Sequence, residues 1–175
     1  MPRISMRAVV IAVQKVRAMD AHEKMSLADE IALKQPNMLS AVLSLRQLGV
    51  SLEKMGFAFE LLFICFQAMK ESGLNWPLIT EDEQEKQLVR YVAIVTFGED
   101  LGASLEHRAM KQYIESHPEQ PLLAFVTVEH KDWLERSTVA VEESDKLVIL
   151  STMTLVNCIA FVSMPGRRAK RNSSK

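Results

Sequence analysis

The stretch from Met55 to Met69 constrains the fold of this chain more than any other feature. It contains one charged residue, Glu60, among phenylalanine, leucine and isoleucine. A helix that is apolar on nearly every side is normally surrounded by other helices. Ser51 and Gly73 flank the segment, and these residue types are typical of a helix start and a helix end. We therefore predict a central helix over residues 52–71.

The remaining apolar segments have mostly helical spacing and are separated by Gly and Pro. The chain has 175 residues, 48% of them hydrophobic, which is enough for one domain with a sizeable core. The fold class predicted is an all-α, single-domain bundle of about seven helices over residues 1–165. A basic, disordered tail is predicted at 166–175. β-branched residues leave strand alternatives at 8–13 and 122–128.

Three polar residues mark predicted helix starts. Ser26 precedes an acid by three residues, as in a capping box, and Asn37 follows Pro36 as a cap for a helix over 38–48. Thr80 stands in the same relation to Glu83. Each of these residues can accept a hydrogen bond from a free backbone N–H in the first turn of a helix.

The last apolar segment, 147–164, has two interpretations, since no charge occurs between Lys146 and Arg167. Its length and the basic residues after it are typical of a transmembrane helix. However, Ser and Thr recur through it, and Asn157 is costly in hydrocarbon without a partner. We favour a buried terminal helix and keep the membrane segment as the alternative.

Composition and cysteine content indicate the class of partner and the cellular compartment. The net charge of -1 argues against a protein that coats nucleic acid through bulk charge. Cys65 and Cys158 both lie in apolar runs, where isolated cysteines pack as buried thiols; a disulfide is the minor alternative. The basic N-terminus differs from a signal peptide because polar and charged residues interrupt its short apolar run. We expect a cytoplasmic protein.

The sequence predicts no catalytic residue, cofactor or metal site. It has no glycine-rich phosphate loop, no CxxC and no histidine pair at the spacing of a helical zinc site. A helical-bundle enzyme with scattered residues stays open as an alternative. Its first candidates are Glu60, Tyr91, His107 and His130.

Glu60 itself has two interpretations. A carboxylate buried in the most apolar helix would have a raised pKa and could act as a general acid or base. However, Gly56, Gln67 and Glu71 share its helical line, which is typical of a thin stripe facing solvent or a partner. We favour the stripe.

Residues 27–48 have the proportions of a helix-turn-helix pair, which raises a nucleic-acid hypothesis. The second helix would present polar side chains on one face, and arginines elsewhere could add the charge that phosphate contacts require. The predicted contact residues are Arg3, Arg7, Arg17, Asn37, Ser40, Ser44, Arg46 and Gln47, with the basic tail.

The function predicted first is a protein–protein interaction or regulatory module without catalytic activity, acting with a protein partner or as a homo-oligomer. It follows from a helical bundle without a visible reaction site and from ten methionines, which suit adaptable packing surfaces. The DNA-associated regulator comes second and the enzyme third.

Overall fold

The protein is described by a computed structural model over residues 1–100, 103–137 and 140–165, with the backbone alone at 97–100, 103–107 and 109. These residues form eight α-helices and one 3-10 turn, without a strand, so the predicted all-α class is confirmed. The ranges 8–13 and 122–128 are helical, and the tail at 166–175 lies outside the described residues. The helices are α1 (Met6–Ala18), α2 (Ala21–Lys34), α3 (Pro36–Leu43, continued by the 3-10 turn Ser44–Arg46), α4 (Leu52–Glu71), α5 (Glu81–Asp100), α6 (Ala103–Ser116), α7 (Gln120–Arg136) and α8 (Glu143–Phe161).

The central helix is α4, as predicted. It contacts α1, α2, α3 and α8, and the side chains of Ala58, Leu62 and Ile64 are fully buried. The Oγ atom of Ser51 accepts the first-turn N–H of Lys54 at 3.3 Å, which begins the helix. Gly73 follows its end with a φ of 67°, a conformation that costs glycine little.

A second core helix, α8, accounts for the uncharged segment near the C-terminus. It is long and apolar enough to cross a membrane, but 61% of its most apolar window is buried inside the bundle. Two of its buried polar side chains, Thr152 and Asn157, are bonded by His130 of α7 and by Tyr113 of α6. These partners explain why polar residues recur along an otherwise apolar helix, and they favour the buried interpretation.

Two predicted helix starts are wrong. Asp20, not Ser26, begins α2, because its carboxylate accepts the N–H of Glu23 at 2.8 Å and Glu23 bonds back to the Asp20 N–H. The first residue of α3 is Pro36, whose fixed φ suits a first turn. Asn37 therefore lies inside the helix. The Thr80 prediction is confirmed, since its Oγ1 accepts the N–H of Glu83 at 3.2 Å.

Candidate interaction surface

Arg3, predicted to contact nucleic acid or a partner, is a structural residue. Its Nε lies 2.8 Å from Oε1 of Glu119, whose side chain is fully buried. The same carboxylate accepts the backbone N–H groups of Arg3 and Ile4 at 3.2 and 2.9 Å. The guanidinium also donates to three carbonyl oxygens at the C-terminal end of α8. Those carbonyls have no partner within their helix, so Arg3 both neutralises Glu119 and caps α8.

Glu60 belongs to a polar stripe of α4 whose acidic side chains pair with residues of α1. Its carboxylate lies 3.0 Å from Nε of Arg17, and both side chains remain substantially exposed, at 40% and 47%. Arg17 also pairs with Glu129 at 2.8 Å, and the hydrogen bond to Glu60 is the largest influence raising the pKa of the guanidinium. Further along the stripe, Lys15 pairs with Glu71 at 2.6 Å. Arg17 is therefore already bonded to two carboxylates, and Glu60 is an ion-pair partner rather than a buried acid.

The predicted helix-turn-helix pair holds a loop in place. α2 and α3 are joined by Gln35 alone, whose side-chain Nε2 donates to the Pro77 carbonyl at 2.7 Å. Its Oε1 accepts the N–H of Ile79 at 2.9 Å, and Asn37 donates to the Ile79 carbonyl at the same distance. The junction therefore anchors the segment before α5, and Asn37 is used inside the fold.

The other predicted contact residues are exposed. Ser40 and Ser44 lie on α3 and the 3-10 turn, followed by Arg46 and Gln47, while Arg7 lies on α1. Arg46 makes a long bond of 3.4 Å to the Val50 carbonyl. Of the arginines predicted as contacts, Arg7 and Arg46 are therefore free of carboxylate partners in the described part of the chain.

A buried polar network at one end of α8 was not predicted. Asn157 Oδ1 accepts the Tyr113 hydroxyl at 2.6 Å and lies 3.1 Å from Nε2 of His117. Nδ1 of His117 accepts the N–H of Glu119, so its proton lies on Nε2 and is donated to Asn157. Burial lowers the pKa of His117, which favours this neutral form. The sequence signal was Asn157 alone, a polar residue needing a partner.

The residues considered for an enzyme have separate partners. His130 Nε2 lies 2.7 Å from Oγ1 of Thr152, and burial lowers the pKa of His130 to about 4. Tyr91 is buried beside Tyr113, and burial raises the pKa of Tyr91 to about 12. The side chain of His107 lies outside the described residues. Each described group is held by packing or by one bond of its own, which is typical of structural roles.

Lys54 forms a charge cluster with two carboxylates outside these sites. Its Nζ lies 2.7 Å from Oδ1 of Asp145, 2.6 Å from Oε2 of Glu142 and 2.7 Å from the hydroxyl of Ser144. The hydrogen bond to Asp145 is the main cause of its raised pKa. The amine is therefore held as an ammonium, which cannot act as a nucleophile. Its contacts tie the start of α4 to the start of α8.

An open groove lies between the 3-10 turn, α5 and α8, with a volume of about 320 Å³. We call it the leucine groove after the side chains that line it: Leu45, Leu48, Leu88, Leu147, Leu150 and Leu155. Leu45 and Leu155 are buried and form its floor, whereas Leu48 and Leu88 are 59% and 37% exposed. Ser44, one of the predicted contact residues, lies on its wall.

One edge of the leucine groove is acidic. Glu81 and Glu85 are exposed, one turn apart on α5, and neither forms an ion pair with a described residue. Gln84 lies between them on the same edge, and its buried Nε2 has no hydrogen-bond partner in the described structure. The lining contains no Lys or Arg. An apolar surface is thus bordered by two carboxylates that have no ion-pair partner among the described residues.

A second apolar groove lies between α1 and α7, with a volume of about 530 Å³. Its exposed side chains include Met6, Val10 and Val128, at 55%, 46% and 54%. Gln14 is the one polar residue in its lining, which has no charged group. This second groove can exclude water against another apolar surface, but it has few groups that would select one partner.

The fold and the leucine groove define an all-α bundle with an open apolar surface. A scan against protein-family models and searches of curated proteins and of solved structures found no match to this chain. Among the described residues, no group of three or more His, Cys, Asp or Glu is placed to hold a metal ion.

Proposed function

We propose that this domain is a protein–protein interaction module and that the leucine groove is its binding surface. The observation that carries the proposal is the exposure of Leu48 and Leu88 above an apolar floor, beside two exposed carboxylates that have no ion-pair partner among the described residues. Contiguous exposed apolar surface bordered by polar residues is typical of interaction sites. Binding a partner would remove these leucines from water.

The free energy expected from burying the exposed leucines supports a specific binding site. Full burial of a leucine contributes about 1.5–3 kcal/mol. Because Leu48 is 59% exposed, covering its remaining surface contributes about 1–2 kcal/mol. A few well-buried residues at the centre of an interface account for most of the affinity of many complexes, so a loss of this size at one residue is measurable.

The geometry favours a protein partner over duplex DNA as the ligand. Arg3 and Arg17 already pair with carboxylates, and Ser44 lies in a groove edged by Glu81 and Glu85. Those two carboxylates would repel phosphates, which supply most of the affinity of a DNA-binding protein. The nucleic-acid hypothesis then depends on Arg7, Arg46 and the basic tail.

A cytoplasmic setting is part of the proposal. Cys65 and Cys158 are free buried thiols, and burial raises the pKa of each to about 12. Such thiols are typical of proteins in reducing compartments and are inert toward exchange.

The test compares two matched leucine substitutions. Leu48→Asn changes the groove, and Leu33→Asn changes an α2 leucine that is 84% exposed and outside the groove lining. The tagged full chain is expressed in its native host and cross-linked to the proteins bound to it. These bound proteins are then identified by mass spectrometry. We expect one stoichiometric partner with the wild type and with Leu33→Asn, weakened about tenfold by Leu48→Asn.

The control for folding is the urea midpoint, which should be similar in all three proteins because both leucines are exposed. The proposal is refuted if Leu48→Asn retains every partner that Leu33→Asn retains.

A further inference from the structure

We infer that the occupant of the leucine groove is an amphipathic helix of a partner protein, with apolar anchors on one face and Lys or Arg along the flank that meets α5. This inference rests on the proposed function, and adds the chemistry of the partner to it.

The shape of the groove favours a helix. Its walls are themselves helical, formed by the 3-10 turn, α5 and α8, and they leave an open trough. An amphipathic helix inserts side chains at positions i, i+3 or i+4, and i+7 into such a trough. The surface has no exposed strand edge in the described residues, so an extended peptide would find no backbone ladder to join.

The charge along the α5 edge of the groove determines the charge expected on the facing flank of the partner helix. Glu81 and Glu85 are both on the α5 edge, and no Lys or Arg in the lining neutralises them. The positive end of α5 offsets part of the charge at Glu81, but this effect fades beyond the first turn and leaves Glu85 uncompensated. A basic flank would pair with both carboxylates, whereas an acidic helix would be repelled. The two carboxylates on α5 thus distinguish partners, while the leucines supply affinity.

The experiment selects helices without assuming their sequence. A displayed library of helical peptides of about 20 residues, randomised on every face, is selected against the full chain. Enriched clones are then measured by fluorescence anisotropy against the wild type, Leu48→Asn and the double variant Glu81→Lys/Glu85→Lys. The matched control is Asp29→Lys/Asp132→Lys, which makes the same charge change at exposed acids outside the groove lining.

We expect the enriched clones to carry apolar anchors on one face and Lys or Arg on one flank. Leu48→Asn and Glu81→Lys/Glu85→Lys should each weaken binding about tenfold, and the control should change it less than about threefold. Raising salt from about 0.05 to about 0.5 M should weaken wild-type binding. It should strengthen binding to Glu81→Lys/Glu85→Lys, because salt screens the repulsion between the basic flank and the introduced positive charges.

The outcomes separate the inference from the proposed function. Clones that need Leu48 but show no basic flank, or ignore the reversal of Glu81 and Glu85, overturn the inference alone. Selection that yields no clone sensitive to Leu48→Asn also overturns the inference, because the groove then binds no helix of any composition. The proposed function is decided separately, by whether Leu48→Asn loses the partner that Leu33→Asn retains.

Discussion

Replacing Arg3 with alanine tests whether this arginine holds the N-terminus and the end of α8 together. The substitution removes the partner of a fully buried carboxylate, Glu119, and the donors to the last α8 carbonyls. Breaking a buried ion pair in this way costs about 3–5 kcal/mol. Because Arg3 is 23% exposed and Glu119 keeps two backbone N–H donors, we expect the lower end, about 3 kcal/mol.

The assays are urea unfolding and thermal unfolding, both monitored by far-UV circular dichroism. In the thermal assay, a loss of about 3 kcal/mol lowers Tm by about 6–12 °C for a domain of this size. Arg7→Ala is the matched control, since Arg7 is exposed on α1 and should change stability by less than about 0.5 kcal/mol. The m-value should be unchanged, because the surface exposed on unfolding is nearly the same.

A double-mutant cycle separates the charge from the packing. Glu119→Gln removes the buried charge while keeping an oxygen for the backbone N–H groups, so combining it with Arg3→Ala should cost less than the sum of both. We expect a coupling of about 1–2 kcal/mol. The reasoning is refuted if Arg3→Ala destabilises no more than Arg7→Ala, because Glu119 would then not depend on the guanidinium.

The remaining predictions concern buried polar groups and the α4 stripe. The pKa of His130 is about 4 in the fold and about 6.5 unfolded, so its contribution to stability is complete above pH 6.5 and declines toward pH 4. In urea titrations, the loss of stability between pH 7 and pH 5 should be about 2 kcal/mol smaller in His130→Gln than in the wild type. In His22→Gln, which changes an exposed site, this loss should be the same as in the wild type. Asn157→Leu should lower the free energy of unfolding by about 2–4 kcal/mol, because it leaves the Tyr113 hydroxyl and Nε2 of His117 without their acceptor. A change in the free energy of unfolding below about 0.5 kcal/mol in urea titrations would contradict that. Glu60→Gln should cost less than about 1 kcal/mol, with a smaller effect at high salt, because its pair with Arg17 is exposed; a loss above about 2 kcal/mol at both salt concentrations would indicate a buried role.

Local patterns predicted the helices well and the contacts between distant residues poorly. The central helix followed from one apolar run between Ser51 and Gly73, because burial on all sides leaves a compositional signal. The start of α2 was missed because Ser26 and Asp20 both carry the capping pattern, and the chain before Ser26 continues the helix. Local sequence cannot decide between two such starts.

The site residues were harder to predict because their partners are remote. Arg3 and Glu119 are 116 residues apart, and either alone is typical of an exposed surface residue. Asn157 was recognised as needing a partner, but nothing near it in sequence identifies Tyr113. The leucine groove likewise joins three separated segments, and only Ser44 among its lining residues was a predicted contact.

Helix α8 connects these observations. Thr152 and Asn157 are bonded to α7 and α6 from different sides of the helix, which fixes its rotation, since a turn about its axis would break both bonds. Leu147 and Leu150 of the same helix line the leucine groove. The buried polar groups therefore hold the groove-lining leucines in place before a partner arrives. A preorganised surface loses less conformational entropy on binding, so affinity at this groove should depend on Asn157 although it contacts no partner.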